Sequence, residues 1–462
     1  VLIFNMPKIN HTQTLSTLAQ GDAVMRILQA ALDAADPVQA IRRALRLDGE
    51  RLIVYPGIYQ DAVGAISGVE YNLSAYRQVH LLSLGKAGWT LAQALDDLLG
   101  GFLSRGLVIT KTADQTHPGR FTVIQGGHPI PDGRSLAAGE AVIDFLGGVG
   151  PDDLLICAIS GGGSALVCAP HAPIKLTDLQ ALTARLLACG ATIDEINTLR
   201  RHLDVLKGGG FLRQTGATVL SLVLSDVIGN SLQAIASGPT AADPSTREDA
   251  LQILRKYNLL GQLSGDILNV LETAPETLKP ADPRLATVRN VLIGSNLMAL
   301  QAALRQAADE GFHPYLLRAD QTGEARQAAV ELCGALRWAC QRGEPVARPF
   351  CMVAGGETTV TLKGDGFGGR NTELALAAVS ELADFPNVLL VTLATDGEDG
   401  PTDAAGAVVS GETFRRAEAL GLSPGAYLQR NDSYSFFAAL NDLLKTGPTG
   451  TNVNDLVFLF GF

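Results

Sequence analysis

Apolar residues recur at helical spacing from Asp22 to Leu47, through MRILQAALDAA and AIRRALRL, and predict helix there. The period then changes. Val79–Leu84 is an apolar run that stops at Gly85-Lys86 and is followed by another helical pattern, so the chain reads as strand, tight turn and helix. The alternation continues through strand-like runs at Gly106–Thr110, Phe121–Gln125, Leu154–Ser160 and Thr218–Ser225. Helical stretches lie at Ser135–Leu146, Thr177–Lys207 and Arg247–Tyr257.

Strands separated by helices imply mainly parallel pairing, and the first part of the chain is expected to be an αβα layered, Rossmann-like lobe. Periodicity lapses in the proline-bearing stretch Ala274–Arg284, where a domain junction is expected. Beyond it the α/β rhythm resumes with Arg289–Ser295, a helix over Leu297–Glu310, and strand-like Pro349–Gly355 and Thr358–Lys363. A helix over Thr372–Leu382, the run from Asn387 and a closing Asp455–Phe460 complete it. A chain of 462 residues exceeds one compact core. The expected organisation is a tail over 1–21, an α/β lobe over 22–284 and a smaller α/β lobe over 285–462, with the active site in the cleft between lobes. No repeat, heptad or low-complexity tract is visible.

Composition narrows the function classes. The 47 acidic and 36 basic residues leave a net charge of -11 with no long basic run, which argues against a nucleic-acid partner. An anionic ligand must therefore be held by local cations, metal ions and backbone amides. The six cysteines form no CxxC pair, and Cys157 and Cys351, inside apolar strand-like runs, read as buried, reduced thiols. Val1–Gln20 resembles neither a signal peptide nor a membrane span, so a cytoplasmic protein is expected.

The strongest chemical signal is LLICAISGGGSAL, a buried strand ending in Ser160-Gly161-Gly162-Gly163-Ser164, with a helix expected from Ala165. Successive glycines let amide groups crowd round a phosphate or carboxylate. Lys86 follows a strand end, where a flexible ammonium could hold a transferring phosphoryl group. Asp226, in LSDVIGN with Asn230, could hold Mg²⁺ or accept a hydroxyl proton. Glu357 ends a strand, and Arg370, beside Asn371, suits a bidentate clamp on carboxylate or phosphate. Asp396, Asp399 and Asp403 lie in a carboxylate-dense turn whose repulsion a Mg²⁺ ion would relieve, and Thr449 and Asn452 lie in a Gly-Thr loop offering uncharged ligand contacts. The glycine loop is no dinucleotide fingerprint, since Leu166 stands where a third Gly or Ala is wanted, no Walker A, GxSxG or HExxH motif is present, and His117, His128 and His202 lack paired zinc spacing.

Taken in order, SLGKA, GGHPIPDGRS, AISGGGSAL, EINTLRRHLDVLKGG, LSDVIGNSLQAIASGPT, GGETTVTLKGDGFGGRNTE, ATDGEDGPTDAAGA, NDSY and TGPTGTNVNDL resemble the motifs of the glycerate 2-kinase family with its C-terminal MOFRL domain, here about 346–462. The resemblance runs from about Asp22 onward. It implies ATP-dependent, Mg²⁺-assisted phosphorylation of D-glycerate at its 2-hydroxyl, with Lys86 and Arg370 acting on the reacting groups and Ser160–Ser164 cradling an anion. A homodimer is left open. Trp89 departs from the small residues or Met more usual after SLGKAG and bears on helix packing. The competing readings are a hydroxypyruvate reductase, disfavoured because the Ser160–Ser164 loop is no dinucleotide fingerprint, and a non-catalytic sugar-acid binding protein.

Overall fold

The computed structural model describes residues 9–55, 68–112 and 119–462, so most of the expected tail is described, whereas His117 lies outside the described residues. Contacts divide the chain into two units, residues 40–293 and residues 1–39 with 294–462.

The unit of residues 40–293 carries β1 (Leu45–Asp48), β2 (Arg51–Val54), β3 (Val69–Asn72), β4 (Val79–Leu84), β5 (Leu103–Thr110), β6 (Phe121–Gln125), β7 (Leu154–Ile159), β8 (Thr218–Leu224) and β9 (Val288–Gly294). The first three form a small antiparallel sheet. The other six form one sheet in the order β6-β5-β4-β7-β8-β9, and the pairs β6–β5, β5–β4, β4–β7 and β7–β8 are parallel. Numbered from β4, this is the order 3-2-1-4-5-6, in which chain direction across the sheet reverses between β4 and β7. Every residue of β4 and β7 is buried, as a central strand covered on both faces requires.

Leu82, Leu107, Leu155, Cys157, Val142 and Phe211 belong to the core of this sheet. A second apolar cluster, including Leu182, Leu186, Leu199, Leu254 and Ile267, joins the helices Leu176–Ala188, Ile193–Leu203, Arg247–Lys256 and Gly265–Thr273. The helices expected over Thr177–Lys207 are Leu176–Ala188 and Ile193–Leu203, separated at Gly190 (φ +75°), the second started by Thr192, whose hydroxyl accepts from Glu195 N. Trp89 is accommodated edge-on against Phe121.

In the other unit β10 (His313–Gln321), β11 (Phe350–Gly356), β12 (Val388–Ala394), β13 (Gly406–Ser410), β14 (Leu443–Leu444) and β15 (Asp455–Gly461) form a sheet of order β10-β11-β15-β12-β13-β14. Only β10–β11 is parallel; β15 runs antiparallel between β11 and β12, with Asp455 opposite both Gly356 and Ala394. The strand expected at Thr358–Lys363 does not form. Thr359 makes a lone bridge to Glu324, and Leu362 is 76% exposed, so no apolar face holds the segment in a sheet.

Two expected boundaries move. The helical reading of Asp22–Leu47 resolves into helices Gly21–Ala35 and Pro37–Ala44 followed by β1, with proline opening the second helix. The first of these packs on the helix Asn296–Asp309 and buries Val24, Ile27, Leu28, Ala31 and Leu32, and its Arg26 pairs with Glu310 at 2.6 Å. Residues 22–39 therefore group with the second unit rather than the first, and β9 extends the first unit's sheet past the expected junction at 284.

Candidate active site

In open parallel sheets ligands collect beyond the carboxyl ends of the strands where chain direction reverses. In the unit of residues 40–293 that place lies beyond β4 and β7, and it holds Lys86 and the Ser160–Ser164 loop. Backbone bonds tie the two strand ends together: Lys86 N donates to Gly161 O at 2.8 Å, and Ala87 N to Ser160 Oγ at 3.1 Å. Ser160 is buried, whereas Lys86 is exposed. Among the described residues the amides of Gly161, Gly162, Gly163 and Ser164 have no hydrogen-bond acceptor. Four adjacent free N–H groups beside an ammonium make an anion cradle.

The absence of side chains in this loop is required by close neighbours. A Cβ on Gly161 would lie 1.9 Å from Asp226 Oδ2, and one on Gly162 (φ +85°) would lie 3.2 Å from both Lys86 Cγ and His128 Cδ2. Asp226 and His128 thus join Lys86 around the loop. Burial, with the charges of Lys86 and Lys111, holds the His128 imidazole below its ordinary pKa, so it is neutral near pH 7. Ser164 Oγ lies 2.8 Å from Ser237 Oγ, and Asn230, Ala236 and Ser237 all adopt left-handed backbone, a strain that clusters at functional loops. The helix expected from Ala165 is a single turn, Gly163–Leu166, because the chain becomes extended at Val167. Free amides, not the dipole of a long helix, supply the positive potential.

The second unit holds a separate polar cluster at the ends of β11 and β12 and the start of β15. Arg370 opens the helix Arg370–Glu381, and its Nε and Nη2 donate to the Asp455 carboxylate while Nη1 lies 3.0 Å from Glu357 Oε1. Asn454 Nδ2 donates to Glu357 Oε2 at 2.9 Å. Arg370 is held by two carboxylates, one rigid and buried, the other 47% exposed. Burial disfavours the guanidinium charge, yet Asp455 and then Glu357 carry its pKa above the ordinary value. Burial pushes Asp455 up to about 6 against the pull of Arg370 and a hydrogen bond from Asn371, with a smaller upward push from the nearby charge of Asp399.

The expected metal-ligand set does not assemble. Asp399 is buried and caps the Arg370 helix, accepting from Asn371 N and Thr372 N at 2.8 Å each and from Thr372 Oγ1 at 2.7 Å, with Asn371 Nδ2 at 3.3 Å. Asp403 lies at the surface with Lys445 and Tyr434, both at 2.8 Å, and the Lys445 contact lowers its pKa. Asp396 accepts from Glu398 N at 3.2 Å. The repulsion that suggested a cation is relieved by three different sets of protein donors. Among the described residues no group of three or more His, Cys, Asp or Glu side chains is disposed to hold a metal ion. Mg²⁺ commonly takes one or two protein carboxylates together with phosphate oxygens, which Asp226 beside the amide cradle can satisfy.

Thr449 Oγ1 donates to Thr395 O at 2.7 Å, and Asn452 Oδ1 accepts from Asn454 N at 2.8 Å, so both shape the loop leading into Asp455. Sequence reading passed over Asp455, Asn454 and His128. The available signal for Asp455 was a carboxylate at the mouth of an otherwise apolar strand; for His128 it was only the missing zinc spacing.

Comparison with known proteins agrees with the motif order. The family described as a domain of unknown function (DUF4147) matches residues 23–272, and the MOFRL family matches residues 350–455. A Pyrococcus horikoshii protein named glycerate 2-kinase is 37% identical over 94% of this chain and 95% of its own. One from Thermotoga maritima named D-glycerate 2-kinase is 39% identical over 82% and 90%. A third, from Agrobacterium vitis and provisionally named a hydroxypyruvate reductase, is 39% identical over 81% and 85%. The crystal structure of Thermotoga maritima glycerate kinase superposes with a TM-score of 0.83 at 35% identity, covering 96% of this chain and 99% of that one. The fold and its anion cradle define an α/β enzyme, and the chain belongs to the glycerate 2-kinase family, a DUF4147 domain followed by a MOFRL domain.

Proposed function

We propose that the protein transfers the γ-phosphate of ATP to the 2-hydroxyl of D-glycerate, giving 2-phosphoglycerate and ADP. The observation that carries this reading is the row of four free amides at 161–164 with Lys86 and Asp226 beside it. Phosphoryl transfer consists mainly of positioning and charge neutralisation, which this set supplies without a nucleophile of its own. The amides and Lys86 bind phosphate oxygens as charge develops on the transferring group. The substrate hydroxyl oxygen forms the new bond to phosphorus, the bond to the ADP oxygen breaks, and Asp226 accepts the hydroxyl proton. In the unit of residues 40–293, Asn230 is a further polar group near the phosphate site; in the other unit, Arg370, its plane fixed by Asp455, is the group suited to a carboxylate, with Asn371 and Glu357 beside it. Alternatively to accepting the proton, Asp226 would hold Mg²⁺, which would supply neutralisation of phosphate charge.

Purified protein incubated with ATP, Mg²⁺ and D-glycerate should yield a product that enolase consumes without phosphoglycerate mutase. Product that requires the mutase would reassign the reaction to the 3-hydroxyl. Oxidation of NAD(P)H by hydroxypyruvate without phosphorylation would replace the kinase reading with the reductase one.

A further inference from the structure

Within the unit of residues 40–293 a cavity of about 420 Å³ opens beside Ser164. One wall is Pro129–Pro131, the segment that follows His128; the facing wall comes from the helices Leu176–Ala188 and Ile193–Leu203, chiefly Leu182, Thr183, Leu186 and Leu199. Its rim leaves Ile130 and Leu187 more than 60% exposed, at 64% and 63%. Glycerate, with three carbons and four polar substituent oxygens, matches neither its size nor its lining. A cavity within the range of about 300–1,000 Å³, mostly apolar and with a few placed polar groups, suits a heterocycle with an attached sugar.

Arg200 supplies the second observation. It lines the cavity, burial lowers its pKa, and its hydrogen bond to Asn197 Oδ1 is 3.4 Å long. It has no carboxylate ion pair among the described residues, whereas nearby Lys207 is neutralised by Asp204 at 2.5 Å. A desolvated guanidinium without an acidic partner is unfavourable unless a ligand meets it, and its planar face stacks on aromatic rings.

We propose that this cavity holds the purine base and ribose of the nucleotide, with Arg200 stacked on the base and Ser164 marking the passage to the phosphates on the 161–164 amides. The inference rests on the kinase reading above and adds to it the place of the nucleoside. Continuity carries the assignment: Ser164 belongs both to the amide row and to the cavity wall, and His128, close to Gly162, leads directly into Pro129–Pro131.

The test compares ADP with inorganic pyrophosphate by calorimetry on the full-length protein, alone and as the variants Arg200→Ala and Thr183→Trp. Thr183 is half-buried on the cavity face of its helix, so tryptophan there fills the cavity without replacing a core residue. The wild type should bind ADP at least about tenfold more tightly than pyrophosphate, and both variants should lose most of that ratio while keeping their pyrophosphate affinity. An unchanged ratio in Thr183→Trp, or a wild type that does not distinguish the two ligands, overturns the assignment. The outcomes for the two readings separate. A wild type that phosphorylates glycerate while Thr183→Trp keeps its affinity for ADP sinks the cavity assignment alone; tight, cavity-dependent ADP binding without phosphorylation sinks the kinase reading alone.

Discussion

Arg370 and Lys86 present contrasting electrostatics. Lys86 is an exposed ammonium beside unpaired amides, whereas Arg370 is bracketed by Asp455 and Glu357. Replacing Lys86 by alanine removes a charge and no core contact. Turnover should fall about 10²–10³-fold with an unchanged melting temperature, and near-normal turnover would remove Lys86 from the chemistry. Asp455 can be tested through pH. Its folded pKa, about 6, lies above the ordinary carboxylate value, so its stabilising contribution is fully present below about pH 4 and is lost as pH rises through about 6. The wild type should lose up to about 3 kcal/mol more stability between pH 4 and pH 7.5 than Asp455→Asn, as read from urea unfolding at each pH. Parallel pH profiles in the two proteins would show that Asp455 titrates normally and that Arg370 keeps it ionised throughout.

At the scale of elements, the helix Arg370–Glu381 is the clearest case of a site positioned by a cap. Asp399, delivered by the loop after β12, occupies the first amides of that helix and so sets where Arg370 emerges. Asp399→Ala leaves buried donors unsatisfied and should destabilise the protein by about 2–3 kcal/mol, while raising the apparent KM for glycerate more than it changes kcat. Unaltered stability in thermal unfolding would mean water replaces the cap. Sequence reading found Asp399 but gave it to a metal, because a cluster of carboxylates looks the same whether a cation or helix amides relieve it. The glycine loop and Lys86 were legible, since an apolar run ending in Ser-Gly-Gly-Gly-Ser has few other uses. β10 was missed because its residues alternate between exposed and half-exposed along an edge, and β1–β3 because such short, partly polar strands resemble loops. Asp455 was hidden by topology: nothing local shows that the strand it opens lies between β11 and β12.

At the scale of the whole molecule, the chain begins its described path in one unit, builds the other through residues 40–293 and then returns. Helix Gly21–Ala35 is therefore a remote segment on which the unit of β10–β15 depends. Its buried residues include Val24, Ile27, Leu28, Ala31 and Leu32, and it packs on the helix Asn296–Asp309. Full burial of one such large aliphatic side chain contributes about 1.5–3 kcal/mol, and a carboxylate in its place adds a desolvation penalty. Ile27→Asp should detach this helix without altering a residue of the other unit. Hydrogen exchange should then accelerate by at least about 100-fold in the helix Asn296–Asp309, while β4, β7 and β8 keep their protection. Equal acceleration in both places would show that the two units unfold as a single cooperative body. Protection unchanged in both would show that the helix Gly21–Ala35 is dispensable to the sheet it covers.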